Sequence, residues 1–201
     1  MDLSQPLSGV ISGVRGDVLL TLVRLQQPVT IRRLAEIAGV SSGQAGAVVH
    51  DLNDLGLVSM MGAGRSLLVT LNRQHVAADA VIELAGLRRK VLDRLRDHLA
   101  TWDDLVAAWV FGSTARGDGG RGSDIDLAII VRDREDSSLT DRLGEMAESV
   151  RAWTGNELQV LEHDKRSWEL LKRERNPIIE EIRRDGIPVH VGSSEQLGHA
   201  R

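Results

Sequence analysis

Cysteine is absent from the 201-residue chain, which excludes disulfides, thiolate zinc sites and cysteine nucleophiles and suits a reducing cytoplasm. Histidine is sparse and scattered, at His50, His75, His98, His163, His190 and His199, with no pair at the spacing of a helical metal motif. Histidine-based metal chemistry is therefore not expected. No apolar run approaches the roughly 20 residues that span a bilayer, and the first residues lack the basic-then-apolar layout of a secretion signal. The expectation is a cytoplasmic protein with no membrane partner. Internal repeats and low-complexity tracts are also missing. The formal net charge of -4 argues against a chain that coats nucleic acid non-specifically, while leaving room for a local basic face.

What is present is a globular composition, 42% hydrophobic and 27% charged, in a length that suits one ordinary domain or two small ones. The pattern predicts two, in an α+β fold. From Gly16 to Gln27 the residues Val18, Leu19, Leu22, Val23 and Leu25 recur at helical spacing until Pro28. Thr30 is placed to cap a second helix, Ile31 to Ala38, ended by Gly39. Ser41 and Gln44 form a capping-box pattern that opens a third helix carrying Ala45, Val48, Val49, Leu52 and Leu55. Two short strands, Leu57 to Met61 and Ser66 to Leu71, flank the glycine-bearing turn Gly62-Ala63-Gly64-Arg65. Three helices plus a β-hairpin predict a winged helix over residues 1–73.

Residues 74–103 read as a connector helix, with Val76, Ala80, Ile82, Leu84, Leu87, Val91, Leu92, Leu95 and Leu99 apolar. After Asp103-Asp104 the pattern switches to a continuous apolar strand, Leu105 to Phe111, then a glycine-rich loop and a second strand, Ile125 to Val131. A helix from about Leu139 to Trp153, capped by Ser138, leads through Gly155-Asn156 to a third strand, Glu157 to Glu162. Asp164 is placed to cap helical residues 165–185, interrupted at Asn176-Pro177. A last strand, Ile187 to Val191, precedes a polar tail, residues 193–201, expected to fray. Residues 104–192 thus predict a β-sheet domain flanked by helices.

The chemistry concentrates in Val110-Phe111-Gly112-Ser113-Thr114-Ala115-Arg116-Gly117 and, after a short glycine-rich stretch, Ser123-Asp124-Ile125-Asp126-Leu127. A glycine directly after a buried strand lets backbone amides approach a phosphate, and the Ser113 hydroxyl adds a donor. Asp124 and Asp126 are two apart on a strand, so both carboxylates project from one face while Ile125, Leu127 and Ile129 point into the core. Magnesium favours a few carboxylates completed by substrate phosphates and water, which suits this pair opposite a phosphate-binding loop. Arg116 is a further candidate for phosphate or acceptor, with a solvated loop arginine as the alternative.

Strand, Gly-Ser, ten intervening residues and Asp-apolar-Asp-apolar together resemble the signature of the DNA polymerase β nucleotidyltransferase superfamily, with Gly112, Ser113, Asp124 and Asp126 matching its core motif. The fuller run of G-S-x-A-R-G and S-D-I-D-L is most similar to the minimal nucleotidyltransferases, relatives of kanamycin nucleotidyltransferase and of antitoxins that transfer AMP. The resemblance covers about residues 105–192. It implies a mixed sheet flanked by helices, ATP or another nucleoside triphosphate with Mg2+, and attack of an acceptor oxygen on the α-phosphate with loss of pyrophosphate. In that scheme Asp124 and Asp126 hold the metal and are catalytic, and Gly112, Ser113, Arg116 and Ser123 bind the nucleotide. A partner toxin or another acceptor protein is implied as well.

One position departs from the family. Its usual third acidic residue, on a later strand, falls here on the neutral Gln159, a poor general base. Glu157 lies two residues earlier, about 6.6 Å along the strand, and is the candidate substitute, against the plainer reading of an exposed strand end. A protein with this departure is expected either to transfer NMP, most simply AMP, to a protein, RNA or small-molecule acceptor, or to act as a DNA-binding regulator whose domain senses nucleotide.

Residues 14–72 resemble bacterial winged helix-turn-helix regulators, which set the third helix in the major groove and the wing on the backbone. Ser42, Gln44 and His50 on that helix and Arg65 at the wing tip are the candidate DNA contacts. The helix carries Asp51 and Asp54 and no lysine or arginine, so phosphate affinity has to come from Arg32, Arg33 and Arg65. A homodimer would strengthen such half-site contacts, and docking of a protein is the competing use of the fold.

Overall fold

The apolar stripes of the N-terminal sequence form helices α1 (Pro6–Val10), α2 (Val14–Leu25), α3 (Ile31–Ala38) and α4 (Ser42–Asp54), with strands β1 (Val29–Thr30), β2 (Val58–Ala63) and β3 (Ser66–Leu71). These assignments come from a computed structural model that describes residues 1–64 and 66–192. Arg65 and the tail from residue 193 lie outside the described residues. Local chemistry sets the boundaries. The Thr30 hydroxyl accepts from the Arg33 amide at 3.2 Å, and Gly39 ends α3 at φ 68°. Ser41 and Gln44 close the reciprocal capping box, at 3.2 Å and 3.3 Å. Leu19, Leu34, Val49, Leu52 and Val69 share one core, and the arrangement is a winged helix.

Two elements here have weak sequence signals. Helix α1 is one turn long, started by Pro6 and held by the fully buried Leu7. The two residues of β1 pair with β3, so the hairpin becomes a three-stranded sheet of order β1-β3-β2.

The connector, expected as one helix over residues 74–103, holds two: α5 (Ala78–Ala85) and α6 (Leu87–Leu99), parted at Gly86. Ala78 and Val81 pack into the winged-helix core, whereas Val91, Leu92, Leu95 and Leu99 pack into a second core. Two short stripes that serve different cores run on as one period in the sequence, which is why periodicity alone reads them as a single connector. By Cα packing the chain divides at Arg88/Arg89, with Met1 and Leu3 joining the second unit.

The second unit continues with β4 (Leu105–Phe111), α7 (Gly112–Arg116), β5 (Ile125–Val131), α8 (Leu139–Thr154), β6 (Leu158–Asp164), α9 (Lys165–Arg173), α10 (Pro177–Asp185) and β7 (Ile187–Val191). Its sheet has the order β6-β5-β4-β7. Strand β5 runs parallel to β6, and β4 is antiparallel to both β5 and β7. Strand alternation splits the residues between two cores. Ala108, Val110, Ile125, Leu127 and Ile129 meet α6 and α8 on one face. Ala107, Phe111, Ala128 and Ile130 meet Trp168 of α9 and Ile179 and Ile182 of α10 on the other. Asp126, in step with Ala128 and Ile130, belongs to this second face.

Two local expectations need revision. Ser138 does not cap α8: its dihedrals are helical, and its hydroxyl donates to Asp136 Oδ2 at 2.9 Å instead. The glycine-rich loop after β4 begins with one turn of helix, α7, and is irregular only from Gly117 on. Asp164 does cap α9, in a capping box with Ser167.

Helix α8 is tied to the start of β4 by Arg142, whose guanidinium donates twice to the Asp104 carboxylate, at 2.6 and 3.0 Å, and lies over the Trp102 ring. The hydrogen bonds from Arg142 hold the Asp104 carboxyl below the usual carboxylate range. Because its folded value is depressed, its stabilisation is present above the unfolded value near 4 and is lost as pH falls through the folded one. Asp104→Asn is expected to cost about 2 kcal/mol at neutral pH, with the gap to wild type narrowing below pH 4, as read by denaturant unfolding at both pH values. An equal gap at both would show that the pair contributes nothing through its charge.

Candidate functional site

The site forms where β4 ends and β5 begins. Gly112 follows Phe111 with φ 66°, a backbone conformation that side chains rarely adopt, and a Cβ built on it would overlap Oδ2 of Asp126. The register explains the collision, because Phe111 is the cross-strand partner of Asp126. Glycine at 112 therefore serves two needs at once, the turn into α7 and the room for a carboxylate. Ser113 follows within α7, partly buried, and its carbonyl accepts from the amides of Gly117 and Asp118 at 2.9 and 3.2 Å.

Asp124 immediately precedes β5 and Asp126 is its second residue; both are partly buried. The Asp126 carboxyl is pushed above its ordinary value, first by burial, then by the charges of Asp124 and Glu181, with Arg116 opposing. A carboxylate so placed is stabilised by any cation brought to it. The donor set fits a hard divalent ion, since it comprises oxygen ligands only. Among the described residues no three His, Cys, Asp or Glu side chains converge on a metal position, so phosphate and water oxygens would complete the shell.

Arg116 is drawn toward acidic groups. Its Nε donates to Asp118 at 3.0 Å and an Nη donates to Glu181 of α10 at 2.8 Å, with Asp185 at 4.0 Å. Ser123 closes a turn: its hydroxyl accepts from the Gly120 amide at 2.9 Å, and its own amide donates to the Gly120 carbonyl at 3.2 Å. Gly119 lies so close over Ser113 that a Cβ would come within 2.9 Å of the Ser113 hydroxyl, which folds the loop over the phosphate-binding candidate.

Gln159 is the cross-strand partner of Asp126 on β6 and is exposed, so position 159 stands beside the aspartate on the same face. Glu157 lies just outside β6. Its carboxylate is 57% exposed and is engaged at 2.5 Å by Arg151 of α8. Of the residues expected at the site, the fold therefore gathers Gly112, Ser113, Asp124, Asp126 and Ser123, and sets Gln159 among them. It holds Arg116 on α10 and Glu157 on Arg151.

Three further contributors carry no local signal. Thr114 is buried and donates to the Asp124 carbonyl at 3.4 Å. Glu181 meets Arg116 across 65 positions. Asn156 is buried and donates to the Ser123 carbonyl at 2.7 Å. Only the spacing of Ile178, Ile179 and Ile182 on α10, which presents its inner face to the sheet, could have put Glu181 near the loop.

On the winged helix, Ser42, Gln44 and His50 are exposed on α4. The Gln44 side-chain oxygen is committed to the capping box with Ser41. Arg32 and Arg33 both bind Glu36, and Arg15 binds Asp51, all at 3.1 or 3.2 Å. Such exposed pairs contribute little to stability.

Several solved structures are similar to parts of the chain. A toxin-antitoxin with AMP-PNP is 20% identical, with 53% of this chain and 75% of that one covered at a TM-score of 0.36. A MarR-family transcriptional regulator from Rhodococcus sp. RHA1 is 22% identical, covering 50% and 80% at 0.31. A MarR-family protein from Mycobacterium tuberculosis in complex with salicylic acid is 28% identical, covering 43% and 70% at 0.30. No curated protein matches. TM-scores this low do not establish a common fold, so the assignment rests on the family match. The nucleotidyltransferase domain family matches residues 88–195, more than half of the chain and all of the site described above, and the chain belongs to that family.

Proposed function

We propose that the C-terminal unit binds a nucleoside triphosphate, most simply ATP, with Mg2+, and transfers NMP to an acceptor hydroxyl on a protein, RNA or small molecule. The observation that carries this reading is the contact between Gly112 and Asp126. It puts the turn that receives phosphate directly against a carboxylate whose ionised form calls for a cation. Bound Mg2+ would neutralise the triphosphate and the departing pyrophosphate. Asp124 and Asp126 would hold it, and the Gly112 backbone and the Ser113 hydroxyl would orient the phosphates. Arg116, released from Glu181 by a competing phosphate, would add a planar donor pair. In the reaction the acceptor oxygen bonds to the α-phosphorus, the α–β bridge breaks and pyrophosphate leaves.

A second reading is favoured by Gln159 and Glu157. With an amide beside Asp126 and Glu157 engaged by Arg151, no carboxylate is assigned to take the acceptor proton. Nucleotide binding then survives while transfer is slow, and the domain serves as a sensor for a DNA-binding winged helix acting through Ser42, Gln44 and His50. Arg65, expected at the wing tip, has no structural description. A homodimer would raise affinity for paired half-sites, and a partner toxin remains the acceptor implied by the antitoxin resemblance.

Labelled ATP with Mg2+ and a cell extract as acceptor source separates the two readings. Transfer is expected in the wild type and abolished in Asp124→Asn and Asp126→Asn; binding without pyrophosphate release would leave only the sensor. Gln159→Asp should raise the transfer rate at least tenfold if the missing acid limits it, and an unchanged rate would remove Gln159 from the explanation. Gly112→Ala should weaken Mg-ATP binding at least tenfold, about 1.4 kcal/mol, in a calorimetric titration, and wild-type affinity would sink the cradle assignment. Because burial raises the Asp126 carboxyl in the folded state, its ionised form opposes folding at neutral pH. Asp126→Asn without ligand should therefore melt a few degrees above wild type, a gain that disappears at pH values low enough to protonate Asp126.

A further inference from the structure

We propose that Asn156, in the turn between α8 and β6, is a positioning residue that sets the backbone of Asp124. The proposal rests on the reading of Asp124 and Asp126 as the metal-nucleotide pair. Asp124 lies outside β5, so the strand ladder does not by itself fix its peptide planes. Beside the Thr114 hydroxyl, which donates to the Asp124 carbonyl, two consecutive residues of the α8–β6 turn do so. Asn156 Nδ2 donates to the Ser123 carbonyl at 2.7 Å, on the N-terminal side of Asp124. The Glu157 carbonyl accepts from the Ile125 amide at 2.9 Å, on the C-terminal side. The metal ligand is thereby bracketed, and the role of Glu157 comes through its backbone.

The chemistry of the position calls for an amide. Asn156 is 3% exposed, so each of its polar atoms needs a partner. Nδ2 donates to two carbonyls, those of Ser123 and Met1. Oδ1 accepts from the Met1 ammonium, and the backbone amide donates to the Thr154 hydroxyl at 3.0 Å. Aspartate has the same shape and keeps the acceptor for the ammonium, but it would set a carboxylate oxygen against both carbonyls. The Ser123 turn, closed internally through Gly120, would then lose its external hold.

The test compares hydrogen exchange of the Gly120 and Ser123 amides and Mg-ATP affinity in the wild type, Asn156→Asp and Thr154→Val. Thr154→Val loosens the same turn and leaves the Ser123 bond in place, so it controls for general destabilisation. Asn156→Asp should speed exchange of both amides about tenfold, the equivalent of one hydrogen bond, and weaken Mg-ATP by a similar factor. Thr154→Val should lower the melting temperature and leave both readouts near wild type. Unchanged exchange in Asn156→Asp, or equal acceleration in Thr154→Val, would overturn the positioning role. If the aspartate variant does not fold, Asn156→Ala removes the amide without adding charge and is read in the same way. Failure of the wild type to bind Mg-ATP would defeat the functional reading, while the exchange arm would still decide the role of Asn156.

Discussion

The Asp126 carboxylate fills the space that any side chain at position 112 would need, and most of the site follows from that contact. It forces glycine at the end of β4, and glycine at φ 66° starts α7 there instead of letting the strand run on. With α7 begun, Ser113 and Arg116 fall on the short helix, and Gly119 brings the following loop back over Ser113. The contact also has an electrostatic consequence. Partial burial next to Asp124 and Glu181 raises the Asp126 carboxyl, so its ionised form is disfavoured unless a positive charge offsets it. A group held in this way reduces stability, a cost often met at functional positions.

That cost is tolerable because the surrounding scaffold is well determined. Strand β5 lies inside the sheet, paired to β4 and β6 along its length, and its two faces are covered by separate cores. The loop that crosses the site is secured by elements distant in sequence. Arg116 reaches Glu181 on α10, and Ser123 is held by Asn156. Placing a loop by bonds from rigid helices and turns is a more exact solution than relying on the loop's own preferences.

The legible parts of the sequence were those in which one local cause decides the outcome. Strands β3, β4, β5 and β7 occupy the residues that their apolar runs marked, and α3 lies between Thr30 and Gly39 as its caps required. The Gly112, Ser113, Asp124 and Asp126 motif could be read because each residue type has a chemical reason at its own position. Competing or distant causes were not legible. Ser138 had two possible partners, and Asp136, two residues away, took its hydroxyl. Gly86 looked like one weak link in a long amphipathic run, and only the presence of two cores distinguishes α5 from α6. Strand β1 exists through pairing with β3, some forty positions later. The capture of Arg116 by Glu181 spans 65 positions, beyond the reach of any spacing rule.

Gln159 is best understood through the same electrostatics. A carboxylate there would stand beside Asp126 on the neighbouring strand, adding a further negative charge to a group already raised by Asp124 and Glu181. Asp126 is partly buried whereas position 159 is exposed, so solvent screens part of that repulsion and the remainder would raise the Asp126 carboxyl further. A neutral amide avoids that cost and gives up a proton acceptor. Glu181 already brings a negative charge over the same face from α10, neutralised in part by Arg116. The charge balance around Asp126 is thus set jointly by β6 and α10. An acidic residue at 159 and an unpaired Glu181 would be hard to accommodate together in the absence of a cation, because Asp126 already feels the charge of Glu181.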